Sequence, residues 1–157
     1  MECKEQTLVT AMSTIATVTI TSYVNHVPVG QLYKAFYDKT IPFSDDVELL
    51  RQLEGLFDSL SFPSCFEEYR HFLKTDKQKR PQRTIKERVS NVVSENAEKS
   101  KGTFVIHVQF RMNATWQGTI HWVEQNKRQY FRSTLEMIRL IDEAMQDGCE
   151  EPKIEWE

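Results

Sequence analysis

GTFVIHVQFR, from Gly102 to Arg111, changes character at every step: Phe104, Ile106, Val108 and Phe110 alternate with Val105, His107, Gln109 and Arg111. A period of two marks a strand with one face in a core and the other toward water. Downstream, Trp116 to Val123 and then Arg128 to Phe131 supply two further short runs, with polar residues in the turns between them. Ser133 and Glu136 stand as N-cap and N3 ahead of Leu135, Met137, Ile138, Ile141 and Met145, which predicts an amphipathic helix laid on the strands. Gly148 is its expected stop. Residues 102–147 are therefore read as a three-stranded antiparallel meander capped by one helix.

Upstream of Gly102 the signals are mixed. Ala16 to Val24 alternates Ala16, Val18 and Ile20 against Thr17, Thr19 and Thr21, a β-branched strand with a threonine-rich outer face. After a break at Asn25 to Pro28, Val29, Leu32, Tyr33 and Phe36 recur at helical spacing, which predicts a short helix ending before Pro42. Asp45 and Glu48 cap a clearer helix carrying Leu49, Leu50, Leu53, Leu56, Phe57 and Leu60, stopped by Pro63. Ser64 and Glu67 repeat the capping pattern ahead of Phe66, Tyr69, Phe72 and Leu73. The expected fold is α+β: a mostly helical N-terminal region over 1–73 entered by one strand, and a βββα unit over 102–147 whose sheet edge that strand extends.

Residues 74–101 read as a basic linker, because Lys79, Arg80, Arg83 and their neighbours outnumber the acids and aromatics are absent. Residues 148–157 form an acidic tail. Overall net charge is only −3, so a role on phosphates would have to be local. Cys3, Cys65 and Cys149 are odd in number and far apart, which points to neither a disulfide framework nor zinc. The apolar run Leu8 to Ile20 is studded with threonines and lacks a basic lead, so neither an export signal nor a membrane span is expected and the reading is cytoplasmic.

Chemistry-bearing patterns are sparse. His107 and His121 fall on strands expected to pair, on the face opposite Phe104, but no Asp, Glu or Cys stands beside them to complete a ligand set or orient a base. Ordinary exposed strand histidines are the preferred reading. Glu67 with Glu68, and Glu150 with Glu151, are adjacent pairs whose side chains diverge on a helix. No phosphate loop, dinucleotide fingerprint, nucleophile elbow or zinc-protease motif occurs. An enzyme is unsupported and no cofactor or metal is expected. Trp116 and Trp122 share a parity with Gly118 between them; buried they are core, exposed they are anchors for a partner, and at least one is expected in the core. Gly118 fits a place where another backbone comes close.

The strings TWQGTI (Thr115 to Ile120) and FRSTLEMI (Phe131 to Ile138), with LFDSLSFPS (Leu56 to Ser64) upstream, resemble a group of small uncharacterised proteins from mobile genetic elements of gut Firmicutes. What the resemblance implies is an accessory protein of a plasmid, phage or conjugative element, one job for which is blocking a host defence nuclease, as anti-CRISPR proteins do. The expected function is then non-catalytic inhibition of a CRISPR effector or its ribonucleoprotein by filling a nucleic-acid-binding channel. Arg111, Trp116, Gln117, Trp122, Lys79, Arg80 and Arg83 are the expected contact residues. The alternative is a nucleic-acid-binding maintenance factor that grips phosphates through the basic linker.

Overall fold

The computed structural model describes residues 10–65, 70, 72 and 100–147. Six strands and two helices follow a 3-10 turn at Ala11–Thr14, with a second 3-10 turn at Ala35–Tyr37: β1 (Ile15–Val24), β2 (Val27–Lys34), β3 (Lys39–Phe43), α1 (Asp46–Leu60), β4 (Gly102–Phe110), β5 (Gln117–Trp122), β6 (Lys127–Phe131) and α2 (Thr134–Gln146). The strands form one six-stranded sheet in the order β3-β2-β1-β4-β5-β6, antiparallel at every joint.

The expectation of a helical N-terminal half beside a separate three-stranded meander is thereby corrected. Residues 27–34 are a strand, and the helical spacing of Val29, Leu32, Tyr33 and Phe36 is overridden by a stronger alternation. Pro28, Gly30, Leu32 and Lys34 turn inward while Val27, Val29, Gln31 and Tyr33 are exposed. Asn25 and His26 take left-handed backbone at φ 51° and 62°, which turns β1 directly into β2 as a two-residue hairpin. Gly30 completes the pairing, since a Cβ there would lie 1.9 Å from the Thr19 carbonyl oxygen. The helix expected after Ser64, the linker cations Lys79, Arg80 and Arg83, and the acidic tail lie outside the described residues.

The helices capped at Asp45 and Ser133 form where expected, but Leu135, read on the sheet-facing stripe of the second, is exposed. Glu48 N–H donates to Asp45 Oδ1 at 2.7 Å, while the Glu48 carboxylate accepts from Ser44 N–H at 2.9 Å. In α2, Glu136 N–H donates to Ser133 Oγ at 3.1 Å and the Glu136 carboxylate accepts from Arg132 N–H at 2.6 Å. These reciprocal bonds satisfy donors that a helix start leaves unpaired.

Among the described residues the core lies on one side of the sheet. Val18, Ile20, Leu32, Phe43, Phe104, Ile106, Val108, Ile120 and Phe131 face Leu49, Leu53, Leu56 and Phe57 of α1 and Met137, Ile141 and Ala144 of α2. The helix α1 lies against β2 and β3, and α2 against β4, β5 and β6. Neither helix reaches the opposite face, where one row, Thr40, Tyr33, Thr17, Val105, His121 and Arg128, crosses every strand. No described helix is long and apolar enough to cross a membrane.

Candidate functional site

The residues expected to meet a partner separate into two groups. Arg111 and Trp116 are buried, at 4% and 5% exposure. Arg111 Nε donates to the Pro63 carbonyl at 2.8 Å, and its Nη1 reaches Asp58 Oδ1 at 2.9 Å and Glu54 Oε1 at 3.3 Å. Its guanidinium lies 5.8 Å from the centre of the Phe57 ring. Trp116 Nε1 donates to Glu54 Oε2 at 2.9 Å, and its ring meets Phe57 edge-on at 5.3 Å. One carboxylate, Glu54, thus holds both side chains against α1. Gln117 clasps the β4–β5 loop by accepting from Met112 N–H at 3.0 Å and donating to the Met112 carbonyl at 2.9 Å. Arg111 and Trp116 are spent on holding the loop to α1 and point inward, whereas half-buried Gln117 ties the loop to itself.

Trp122 belongs to the second group. It is half-buried, stacked near Phe104 at 6.3 Å between ring centres, with Lys127 Nζ 5.7 Å from its own ring centre. Its indole Nε1 is enclosed with no hydrogen-bond acceptor among the described residues. Around it opens a cleft of about 330 Å³ between the β5–β6 hairpin and α2, floored by Phe104, Ile120 and Trp122. Leu140 and Ala144 wall it, Lys127 stands on one rim, and Glu143 and Asp147 on the other. With Arg128 and Gln129 also at its edge, half of the lining residues are polar or charged around an apolar floor, a concave surface of the kind that holds a ligand or an inserted side chain.

The cleft lies beside the most exposed strand. In β6 only Phe131 is buried, and no described strand pairs with its outer side. Lys127 and Arg128 make it basic, with no acid in the strand.

The histidines do share the open face, since His107 pairs with Thr119 and His121 with Val105. His121 Nε2 sits 3.1 Å from Asn126 Oδ1, and no group of three His, Cys, Asp or Glu suited to a metal occurs among the described residues. A cluster that the sequence did not announce joins the β1–β2 hairpin to α2. Tyr23 OH donates to Asp142, His26 Nδ1 lies 2.8 Å from Asp142 Oδ1, and Gln146 Nε2 donates to Asp142 Oδ2 at 2.9 Å. Burial opposes the Asp142 charge, but the bonds from His26 and Tyr23 outweigh it and hold that carboxyl below the ordinary aspartate range. The Tyr23 phenol is pushed up by burial and by Asp142. Only a long-range pairing places residues so distant in the chain together, so no local signal could have found them.

Compared with protein families, curated proteins and solved structures, the chain shows no match.

Proposed function

We propose that this protein works by binding a macromolecule and obstructing it, without chemistry of its own, and that the partner is a host defence nuclease of the CRISPR-effector kind. The observation that carries the binding reading is the corner where β6 and α2 meet: an exposed basic strand beside a charge-rimmed cleft whose floor is Phe104, Ile120 and Trp122. Aromatic anchors set in a partly desolvated hollow and rimmed by charge are where binding energy concentrates. The choice of partner is supported by the likeness of TWQGTI and FRSTLEMI to mobile-element proteins. In this reading the corner grips the effector and the bulk of the sheet stands in the path of guide or target.

The test is retention and cleavage. A purified CRISPR effector is expected to co-elute with the full chain and to lose target cleavage when the chain is in excess. Trp122→Ala is expected to weaken both by about tenfold, the loss of one good anchor. Undiminished cleavage with no co-elution overturns the choice of partner.

A second reading rests on the open face, where Tyr33, His121 and Arg128 lie in one cross-strand row and Tyr130 in the next. Aromatic rings and a cation on a sheet face suit stacked bases and phosphates. A salt-sensitive shift of single-stranded DNA or RNA, reduced by Tyr130→Ala, supports it.

A further inference from the structure

The two edges of the sheet differ in whether they can accept another strand. At the β3 edge, Pro42 has no N–H, and its carbonyl accepts from Gln52 Nε2 of α1 at 2.8 Å. Proline and a capped carbonyl are how an edge is closed. The β6 edge has neither, and its guard is charge alone, Lys127 and Arg128, which repels a basic strand and not an acidic one. Which of its backbone groups point outward follows from the ladder. Val123 N–H donates to the Thr103 carbonyl at 3.0 Å, so alternate β5 residues bond β4, and Gly118, Ile120 and Trp122 bond the other way, to Phe131, Gln129 and Lys127. That leaves the N–H and C=O groups of Arg128 and Tyr130 facing away from the sheet. The Tyr130 N–H there meets only the Gln129 side-chain oxygen at 3.2 Å, a cap that an incoming carbonyl replaces without loss.

From this we infer that the β6 edge takes up an extended acidic segment of a partner protein as a seventh strand, with alternate apolar side chains entering the Trp122 cleft. Charge selects the occupant. Lys127 and Arg128 belong to a strand without acids, and Arg128 has no ion pair among the described residues. A second copy pairing through β6 would set these cations against each other, which costs energy. Glu143 and Asp147 on the far rim repel acidic side chains from the cleft, so an incoming segment sets its acids beside Arg128, which borders the cleft but shares the open-face row of His121, and its apolar groups over Trp122. Main-chain bonds then supply affinity, and the alternating pockets specificity.

This deepens the binding reading above and rests on it. The probe is a short fluorescein-labelled peptide in which Glu alternates with Val and Leu, measured by anisotropy against the full chain. Binding is expected, weakened about tenfold or more by methylating its alternate backbone nitrogens, an effect of one or two lost hydrogen bonds. Replacing its Glu by Lys is expected to abolish binding. Tyr130→Pro removes an outward N–H and leaves the β5 ladder whole, so it is expected to weaken binding equally with the melting temperature little changed. The methylated peptide decides the matter even where that variant fails to fold. No binding of the peptide, or indifference to both methylation and Tyr130→Pro, overturns the inference. So does binding that appears only after residues 148–157 are removed, which assigns the edge to the chain's own acidic end, or capture of single-stranded DNA in place of the peptide. An effector still blocked by Tyr130→Pro sinks the added strand and leaves the inhibitor standing, whereas peptide binding without any effector retained does the reverse.

Discussion

Arg111 shows how one residue changes meaning between sequence and structure. As the last residue of GTFVIHVQFR it reads as an outward cation, yet it is buried over Phe57 with three polar contacts. Arg111→Met keeps the stem and removes those contacts, taking the shared cation from Asp58 and Glu54 while Glu54 keeps its bond from Trp116. The expected cost is about 3 kcal/mol in urea unfolding, the low end for a broken buried ion pair because both carboxylates keep some water. Ala114 is the opposite case. Its backbone sits at φ 54° beside Asn113 at 57°, a region that costs a residue with a Cβ. Ala114→Gly is expected to stabilise by about 0.5–1 kcal/mol, read from the urea midpoint at unchanged slope. Asp142 sets a pH dependence. Its carboxyl is depressed by His26 and Tyr23 against the opposing effect of burial, so its contribution is present above the unfolded aspartate range, about pH 4, and is lost as pH falls through the lower folded value. Asp46, raised by burial and by Asp45 and Asp142, works in the other sense. The measurement is therefore a difference: between pH 6 and pH 2 the native protein should lose more stability than Asp142→Asn does.

Elements were legible wherever local chemistry and pairing agreed. β4 and β5 show their period of two, and α1 and α2 announce their starts through Asp45 with Glu48 and Ser133 with Glu136. Gly118 was legible too, for a Cβ there would lie 2.0 Å from the His107 carbonyl oxygen. β2 was not, because four apolar residues at helical spacing sit in a segment whose true partner, β1, is joined by a turn without glycine. β3 offers only five residues with a proline among them, too little for any period to emerge. Of the expected contact residues, Trp122 alone among those described lies at the cleft. Sequence shows that Arg111 and Trp116 are polar-tipped and large, but that Glu54 lies between them depends on α1 packing beneath the sheet. The caps carry a prediction at this scale. Ser133→Ala removes the bond to Glu136 N–H and is expected to cost about 1 kcal/mol, whereas Ser133→Asp should preserve stability. Thermal unfolding of the two variants side by side checks it.

At the scale of the whole molecule, each helix lies over one part of the sheet and is tied by polar side chains to the other. α1 rests on β2 and β3, but its Glu54 and Asp58 hold Arg111 and Trp116 from the β4–β5 loop. α2 rests on β4, β5 and β6, but its Asp142 holds Tyr23 and His26 of the β1–β2 hairpin. The β1–β4 ladder runs down the middle, pairing Val18 with Phe104 and Ala16 with Ile106. Two crossed ties and a shared central ladder leave neither part a way to unfold while the other keeps its core. The chain is therefore expected to unfold in one transition, despite its long segment between Cys65 and Ser100. Tryptophan fluorescence can test this, because Trp116 and Trp122 flank the C-terminal strands; Trp156→Phe removes the remaining tryptophan signal. In that background, Leu32→Ala opens a cavity in β2, on the far side of β1, at an expected cost of about 2–4 kcal/mol. If the sheet is one cooperative unit, the fluorescence midpoint falls together with the far-ultraviolet circular dichroism midpoint and by the same amount. A fluorescence transition that stays where it was while the dichroism splits in two would show that the N-terminal hairpin unfolds alone and that the crossed ties carry no coupling.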